Sequence, residues 1–170
     1  TFELAGTPFE RTNTVTDWSV RGDFEYFPSD KHALKLGYWG GLFRFRLQDR
    51  FDEEEGLRAS IDALYGALYL QETFRPSPFW VLQGGLRLSY FGRGQYVRLE
   101  PRLSLEYRPR ANVRLQAGYG RDYQYLTLIS SELITAFDVW LTVDEGVRPA
   151  WGDQFVLGTK WEPLAGVNVE

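Results

Sequence analysis

From Val97 to Tyr107 the side chains alternate without a break. Val97, Leu99, Pro101, Leu103, Leu105 and Tyr107 fall on one parity, and Arg98, Glu100, Arg102, Ser104 and Glu106 on the other. A period of two belongs to an extended strand with two unlike faces. After the turn Arg108-Pro109-Arg110-Ala111-Asn112 the alternation resumes, with Val113, Leu115, Ala117 and Tyr119 against Arg114, Gln116, Gly118 and Gly120. Tyr96–Gly120 is therefore one long hairpin with an apolar face and a charged face. Its first arm exceeds the about 5–6 residues usual for strands of soluble domains and meets the about 9–11 that a strand needs to cross a bilayer.

The rest of the chain repeats this unit. Trp18, Val20, Gly22, Phe24 and Tyr26 alternate with Ser19, Arg21, Asp23 and Glu25; a second strand begins near Lys31-His32 with Leu34, Leu36 and Tyr38 on one face. At Gly40-Gly41 the phase breaks, because Leu42, Phe43 and Phe45 do not share a parity, and a bulge is expected there. Further strands are read over Leu57–Phe74, Phe79–Phe91, Gln154–Trp161 and the residues after Gly166. Thr1–Thr14 shows no period and reads as a loop or frayed end. Long loops are expected near residues 47–57, around the acidic run Asp49–Gly56, and over 121–151, with short strand pieces near Phe137–Leu141. The expectation is an all-β chain of about seven or eight antiparallel, up-and-down strands, one partial barrel domain over residues 1–170.

Four turns carry one signature, an aromatic residue, a variable residue and a proline: Tyr26-Phe27-Pro28, Phe74-Arg75-Pro76, Tyr107-Arg108-Pro109 and Trp161-Glu162-Pro163. Their unequal intervals exclude a solenoid. They mark one edge of a sheet, with short turns ringed by aromatics, while the opposite strand ends carry mostly longer and more polar connections. That asymmetry is the pattern of an outer-membrane barrel, whose aromatic girdles lie at the lipid–water border. The charged face cannot lie against lipid or in a dry core. Arg87, Arg98, Glu100, Arg102, Glu106 and Arg114 are accordingly expected to line a wet or plugged lumen, Arg98 with Glu100 and Arg102 with Glu106 forming a ladder of ion pairs along one strand. Two other readings remain open: a small self-contained outer-membrane barrel, porin-like or structural, and a soluble β-sandwich binding module with its apolar face beneath a second layer.

Composition narrows the function classes. The chain has 170 residues, 44% hydrophobic and 16% aromatic, which suits one folded domain. A formal charge of −4 argues against nucleic acid as a partner. There is no Cys, hence no disulfide and no thiolate chemistry. No apolar run approaches the about 20 residues of a membrane helix, a limit that does not apply to barrels. With no Met and with ends that read as cut, the chain is expected to be a piece of a longer polypeptide. No catalytic constellation, phosphate loop or metal-ligand spacing is present, so neither an enzyme nor a cofactor is expected. The run Asp49–Gly56 lacks the alternating spacing of a calcium loop and reads as solvated, as does His32, the sole histidine.

A family becomes visible in the second half. Tyr69-Leu70-Gln71-Glu72-Thr73-Phe74-Arg75-Pro76-Ser77, then Gly85-Leu86-Arg87-Leu88-Ser89-Tyr90-Phe91, resembles the barrel of TonB-dependent outer-membrane receptors. Glu100-Pro101-Arg102-Leu103-Ser104-Leu105-Glu106-Tyr107 is similar to that family's Pro-Arg strand, and Ala117-Gly118-Tyr119-Gly120-Arg121-Asp122-Tyr123-Gln124 to the strand end that follows it. Val147-Arg148-Pro149 and Asp153-Gln154-Phe155-Val156-Leu157-Gly158 resemble the strand after a long outer loop. The likeness covers about residues 60–170, with Glu72 in place of the usual Asp and Leu88-Ser89 in place of Tyr-Asp. No plug domain, TonB box or closing aromatic strand is seen. The resemblance implies roughly a third of a barrel of about 22 strands, in the bacterial outer membrane and surrounded by its lipid. It further implies capture and TonB-dependent uptake of a small-molecule or oligomeric nutrient ligand, with a plug domain and a TonB-type energising protein as partners outside this chain. Ligand contacts are expected from the outer loops, with Tyr123, Tyr125, Phe137, Trp140 and Trp151 as the candidate aromatic residues.

Overall fold

The computed structural model describes residues 2–4, 7–51, 54–129, 139–164 and 167–169, and side chains within 10–50, 56–127 and 142–163. The strands are β1 (Phe2–Leu4), β2 (Thr7–Ser29), β3 (His32–Phe51), β4 (Glu54–Ser77), β5 (Trp80–Phe91), β6 (Tyr96–Arg110), β7 (Val113–Gln124), β8 (Leu126–Ile129), β9 (Val139–Thr142), β10 (Ala150–Leu164) and β11 (Val167–Val169). Nine of them form one antiparallel sheet in the order β1-β2-β3-β4-β5-β6-β7-β10-β11, and β8-β9 stands apart as a small hairpin. Seven strands are long, as the alternation predicts: β2 to β7 and β10. Among the described residues there is no α-helix, and the sheet is open, with β1 and β11 at its edges.

The register assigns every long strand the same two faces. On one side lie Trp18, Val20, Phe24 and Tyr26 of β2, Leu34, Leu36, Tyr38 and Leu42 of β3, and Leu64, Leu68 and Leu70 of β4. The same face continues through Leu82, Leu86, Leu88 and Tyr90 of β5, Val97, Leu99, Leu103 and Leu105 of β6, Leu115 of β7, and Phe155 and Leu157 of β10. These side chains are exposed: Leu99 at 52%, Leu103 at 60% and Leu157 at 87%. No second layer covers them among the described residues, so the sandwich reading is not met. An apolar face this large is not left to water by a soluble monomer.

The band has sharp borders. Trp18, Leu42 and Leu64 pair across β2, β3 and β4, and the next outward row is Thr16, Arg44 and Asp62. On the other flank Tyr119 pairs with Phe155, and the next row is Arg121 with Asp153. The apolar stretch Leu34–Leu42 matches the about 9–11 residues that span a bilayer at a tilt.

The lower border is built by the four aromatic–variable–proline turns, which share one geometry. In each, the aromatic is in register with the next strand, the following two residues leave it, and pairing resumes at the turn: Tyr26↔Leu34 then Ser29↔His32, Phe74↔Leu82 then Ser77↔Trp80, Tyr107↔Leu115 then Arg110↔Val113, Trp161↔Val169 then Leu164↔Val167. Each is a one-residue bulge, a place where proline's missing N–H costs no ladder bond. The variable residue's own N–H is freed to reach sideways. Arg75 N donates to Lys31 O at 2.7 Å, Arg108 N to Phe79 O at 2.8 Å, and Glu162 N to Asn112 O at 2.9 Å. Each turn is thus tied to its neighbour. Rings follow the same path: His32 stacks on Phe74 at 4.5 Å and Trp80 on Tyr107 at 4.2 Å.

Four expectations need correction. Thr7–Thr14 is strand, because Phe9–Thr14 pair with residues 46–51 of β3 and Thr7–Phe9 with β1, even though the side chains show no alternation. The 47–57 loop is strand on both sides of residues 52–53. β2, β3 and β4 run 23, 20 and 24 residues against 12 for β5 and β7, so these strands overshoot the band rather than give way to a loop. There is no bulge at Gly40-Gly41, where pairing with both neighbours is continuous. The polarity inverts there instead: above the band the inner face turns apolar, with Phe45 and Leu47 buried. His32 is not simply solvated, since its Nδ1 lies 2.7 Å from Glu72 Oε1.

Single-cysteine variants test the two faces cleanly, because the chain has no cysteine of its own. In membranes carrying the full-length protein, a membrane-impermeant thiol reagent should modify Arg102→Cys and spare Leu103→Cys; equal labelling of the two would contradict the assignment. Leu68→Arg, at mid-band, should lower unfolding stability in lipid by about 2–4 kcal/mol.

Candidate functional site

The face opposite the band is polar along its whole width. It presents Asp17, Ser19, Arg21, Asp23 and Glu25 from β2, Lys35 and Trp39 from β3, and Tyr65, Tyr69 and Gln71 from β4. Gln83, Arg87 and Ser89 from β5, the even residues of β6, and Arg114, Gln116 and Asp122 from β7 complete it. A concavity of about 920 Å³ lies on this side, bordered by Arg21, Lys35, Tyr69, Arg87, Arg102 and Asp122 among others.

Arg87, Arg98, Glu100, Arg102, Glu106 and Arg114 all lie on this face. Their pairing differs from the expected ladder. Glu100, only 5% exposed, accepts from Ser89 Oγ at 2.5 Å and has Arg87 Nε at 3.7 Å, both on the neighbouring strand. Arg102 reaches Asp122 of β7 at 2.5 Å rather than Glu106. Glu106 accepts from Gln116 at 2.8 Å, with Arg114 at 3.6 Å and Arg108 of the turn at 2.5 Å. Same-face neighbours on one strand are separated by about 7 Å, whereas cross-strand neighbours sit about 4.5–5.5 Å apart. Most pairs therefore form across the sheet, Glu106 with Arg108 at the turn end of β6 being an exception, and Arg98 is left to lie over the Tyr96 ring at 5.0 Å and the Tyr123 ring at 5.7 Å.

A second device escaped the sequence reading. Tyr69 of β4 crosses Gly37 of β3 to hydrogen-bond Asp23 of β2, and Tyr65 crosses Gly41 to donate to Asp17 Oδ1 at 2.6 Å. Glycine is required under each ring: a Cβ at Gly41 would sit 2.8 Å from the Tyr65 hydroxyl, and one at Gly37 would overlap Tyr69. The two braces lock three strands together. The visible signal was the shared parity of Tyr65 and Tyr69, but Leu64, Leu68 and Leu70 on the other parity are as apolar and hide which face is which.

At the upper rim β7 pairs with β6 from Val113 to Gly120 and beyond that only with β10. The expected 121–151 loop is thus partly strand: β7 continues to Gln124, β8-β9 forms its hairpin, and Tyr125 and 143–149 are irregular. Of the candidate aromatics, Tyr125 stacks on Phe91 at 5.1 Å beside Ala63 and Val143. Its hydroxyl is buried with no hydrogen-bond partner among the described residues, and burial pushes its pKa up to about 12. The Tyr96 hydroxyl donates to Asp144 O at 2.7 Å, pinning residues 143–147 against this corner. Tyr123 and Trp151 are register partners. Trp151 continues the parity of Phe155 and Leu157, is 61% exposed, and lies 4.6 Å from the Arg121 guanidinium. That position suits a ring at the lipid border as well as a ligand contact. Trp140 lies in β9, its backbone opposite Leu128, and Phe137 lies outside the described residues. The acidic run splits: Asp49 is 3% exposed and takes a bidentate pair from Arg11, both bonds at 2.6 Å.

No family model matches the chain, and no curated protein matches it. Two solved structures do. The siderophore receptor PirA from Pseudomonas aeruginosa shares 15% identity at a TM-score of 0.62, over 88% of this chain and 30% of the receptor. A G324V mutant of the ferric enterobactin receptor PfeA, from the same organism, shares 17% at 0.64, over 88% of this chain and 25% of the receptor. At such identities the likeness speaks for the fold, that of a barrel receptor's strands, and the chain spans under a third of either protein's length.

The braces make a discriminating prediction. Gly37→Ala should displace Tyr69 from Asp23 and lower stability by about 1–3 kcal/mol in chemical unfolding of the full-length protein. Gly152→Ala, where nothing lies within 4 Å of the added carbon, should cost less than half as much.

Proposed function

We propose that this chain is a stretch of barrel wall from a bacterial outer-membrane receptor that captures a nutrient ligand and imports it with energy from a TonB-type protein. The observation that carries the reading is the pair of unlike faces on a single-layer sheet, apolar outward within bilayer-sized borders and ion-paired inward. Such a sheet has no stable place except around a polar interior and within lipid. Arg87, Arg98, Glu100, Arg102, Glu106 and Arg114 then line the lumen, where a plug domain from another part of the polypeptide occupies the concavity. Tyr123, Tyr125 and Trp151, with Phe137 and Trp140 from the same outer segment, are the proposed aromatic contacts for a small-molecule or oligomeric ligand. The two structural neighbours are named for siderophore and ferric enterobactin reception, which makes an iron chelate the first ligand to try.

Two measurements on the full-length protein test this. In planar lipid bilayers a plugged receptor should be electrically silent, whereas steady open channels would favour the porin-like alternative. In cells, uptake of iron-loaded chelates should stop when the TonB-type protein is deleted; uptake that persists rejects energised import. Tyr125→Ala should weaken chelate binding about tenfold or more, and unchanged affinity removes Tyr125 from the contact set.

A further inference from the structure

The two ladders that meet on β6 end differently. With β5, β6 pairs without a break from Tyr96 to Tyr107, and Pro101 stands opposite Leu86. With β7 it pairs from the turn up to Arg102, opposite Gly120, and stops. The next rung would set Pro101 against Arg121. Antiparallel neighbours alternate between pairs that exchange both N–H···O bonds and pairs that exchange none. Pro101 has no N–H, so its place opposite Leu86 is of the second kind and its carbonyl faces β7. The ladder to β7 therefore meets a missing donor and ends. Residues two apart on a strand face the same neighbour, and the Val97 carbonyl is capped by Arg98 Nη1 at 2.8 Å, as a carbonyl on a free edge needs.

Above this seam the wall is in two pieces. On one side stand β5 and β6. On the other, Arg121–Gln124 of β7 pair with Ala150–Asp153 of β10 and lead into Tyr125 and the β8-β9 hairpin. Gly120, the last residue paired across, leaves the backbone free to bend at that level. Side chains close the seam. Arg102 meets Asp122 at its base. Higher up, the Tyr96 hydroxyl donates to Asp144 O at 2.7 Å and has Val147 O at 3.4 Å. Asp144 Oδ1 accepts from Gly146 N at 2.9 Å and Val147 N at 3.0 Å, shaping the turn so that both carbonyls face one hydroxyl. Gly94 lets that turn approach, since a Cβ there would lie 2.7 Å from Asp144 O. Val143 packs with Ala63 and Phe91 of the wall, and the Tyr125 ring stacks on Phe91. One cost stands against these contacts: closure buries the Tyr125 hydroxyl with no partner among the described residues.

We propose that Pro101 divides the wall at its upper rim into two separately moving pieces, with the Tyr96 hydroxyl as the latch that holds the β7-β10 arm against the β5-β6 side. The unpartnered Tyr125 hydroxyl works against the latch, so the arm is held shut without being locked. Below Gly120 the ladders are complete on both sides of β7. The arm therefore swings without loosening the register of the apolar band. This motion goes beyond the receptor reading and holds whichever ligand the wall serves.

The test uses the detergent-solubilised full-length protein without ligand, so its failure leaves the receptor reading standing. Opening is read as the rate at which a water-soluble maleimide modifies Ala63→Cys, a wall position 3% exposed beside Val143. Tyr96→Phe should raise that rate about fivefold, and Tyr125→Phe should lower it by a similar factor. Pro101→Val should lower it too, and the amide that this variant introduces should exchange its hydrogen slowly, having gained Arg121 O as acceptor. The amides of Leu115–Tyr119, in the ladder below the seam, should keep their exchange rates in Tyr96→Phe and Tyr125→Phe. An unchanged maleimide rate in Tyr96→Phe overturns the latch, as does a rise accompanied by faster exchange at Leu115–Tyr119, which reports general loosening. A faster rate in Tyr125→Phe overturns the opposed roles of the two hydroxyls. An introduced amide at 101 that exchanges like a free one overturns the division at Pro101. If Ala63→Cys does not fold, Val143→Cys reads the same opening from the arm.

Discussion

Register governs this molecule. With side chains alternating at a period of two, a slip of one residue between neighbouring strands would bring the inward arginines and carboxylates to the outward face, among leucines. The ladder must therefore be held in phase across seven long strands, and the chain does so at the lower edge of the band and within it. At the lower edge, three of the four proline bulges free one N–H to tie the turn to the turn before it. In the middle, Tyr65 and Tyr69 cross glycines to reach carboxylates two strands away. Both devices act sideways, across strands, which is the direction in which register is lost.

The same constraint explains the distribution of charge. A polar group in a low-dielectric setting must find a partner, and on a strand face the near partner lies across the sheet. Glu100 with Ser89 and Arg87, Arg102 with Asp122, and Glu106 with Gln116 and Arg114 all follow this rule. The inner face is thus a woven surface of charges paired largely from strand to strand. Outward, among the described residues, paired charge gathers at the borders of the band, at Arg44 with Asp62, at Arg121 with Asp153 and at His32 with Glu72.

Height distinguishes the two flanks of the sheet. β2, β3 and β4 continue as paired strands well past the border, and their inner face there becomes apolar around Phe45 and Leu47. β5 and β7 are half as long. Past Gly120, β7 parts from β6, and the opening is filled by Tyr96, Arg98, Tyr123 and Tyr125.

The strands, their two faces and the aromatic–proline edge were legible in the sequence, because each is written locally: alternation over ten residues and a three-residue turn signature need no distant partner to be recognised. What the sequence could not reveal depended on a neighbour far along the chain. Phe9–Thr14 became strand because β3 offers it a ladder, and Asp49 at the start of the acidic run is buried because Arg11 claims it. The inward choice of Tyr65 and Tyr69 came from the gaps at Gly37 and Gly41. Tyr125 was legible as an aromatic of the outer segment, but only packing turned it inward onto Phe91. Local periodicity decides that a residue lies on a strand and which neighbours share its face; only the assembled sheet decides which partner stands opposite, since cross-strand distance is set by register and not by separation in the chain.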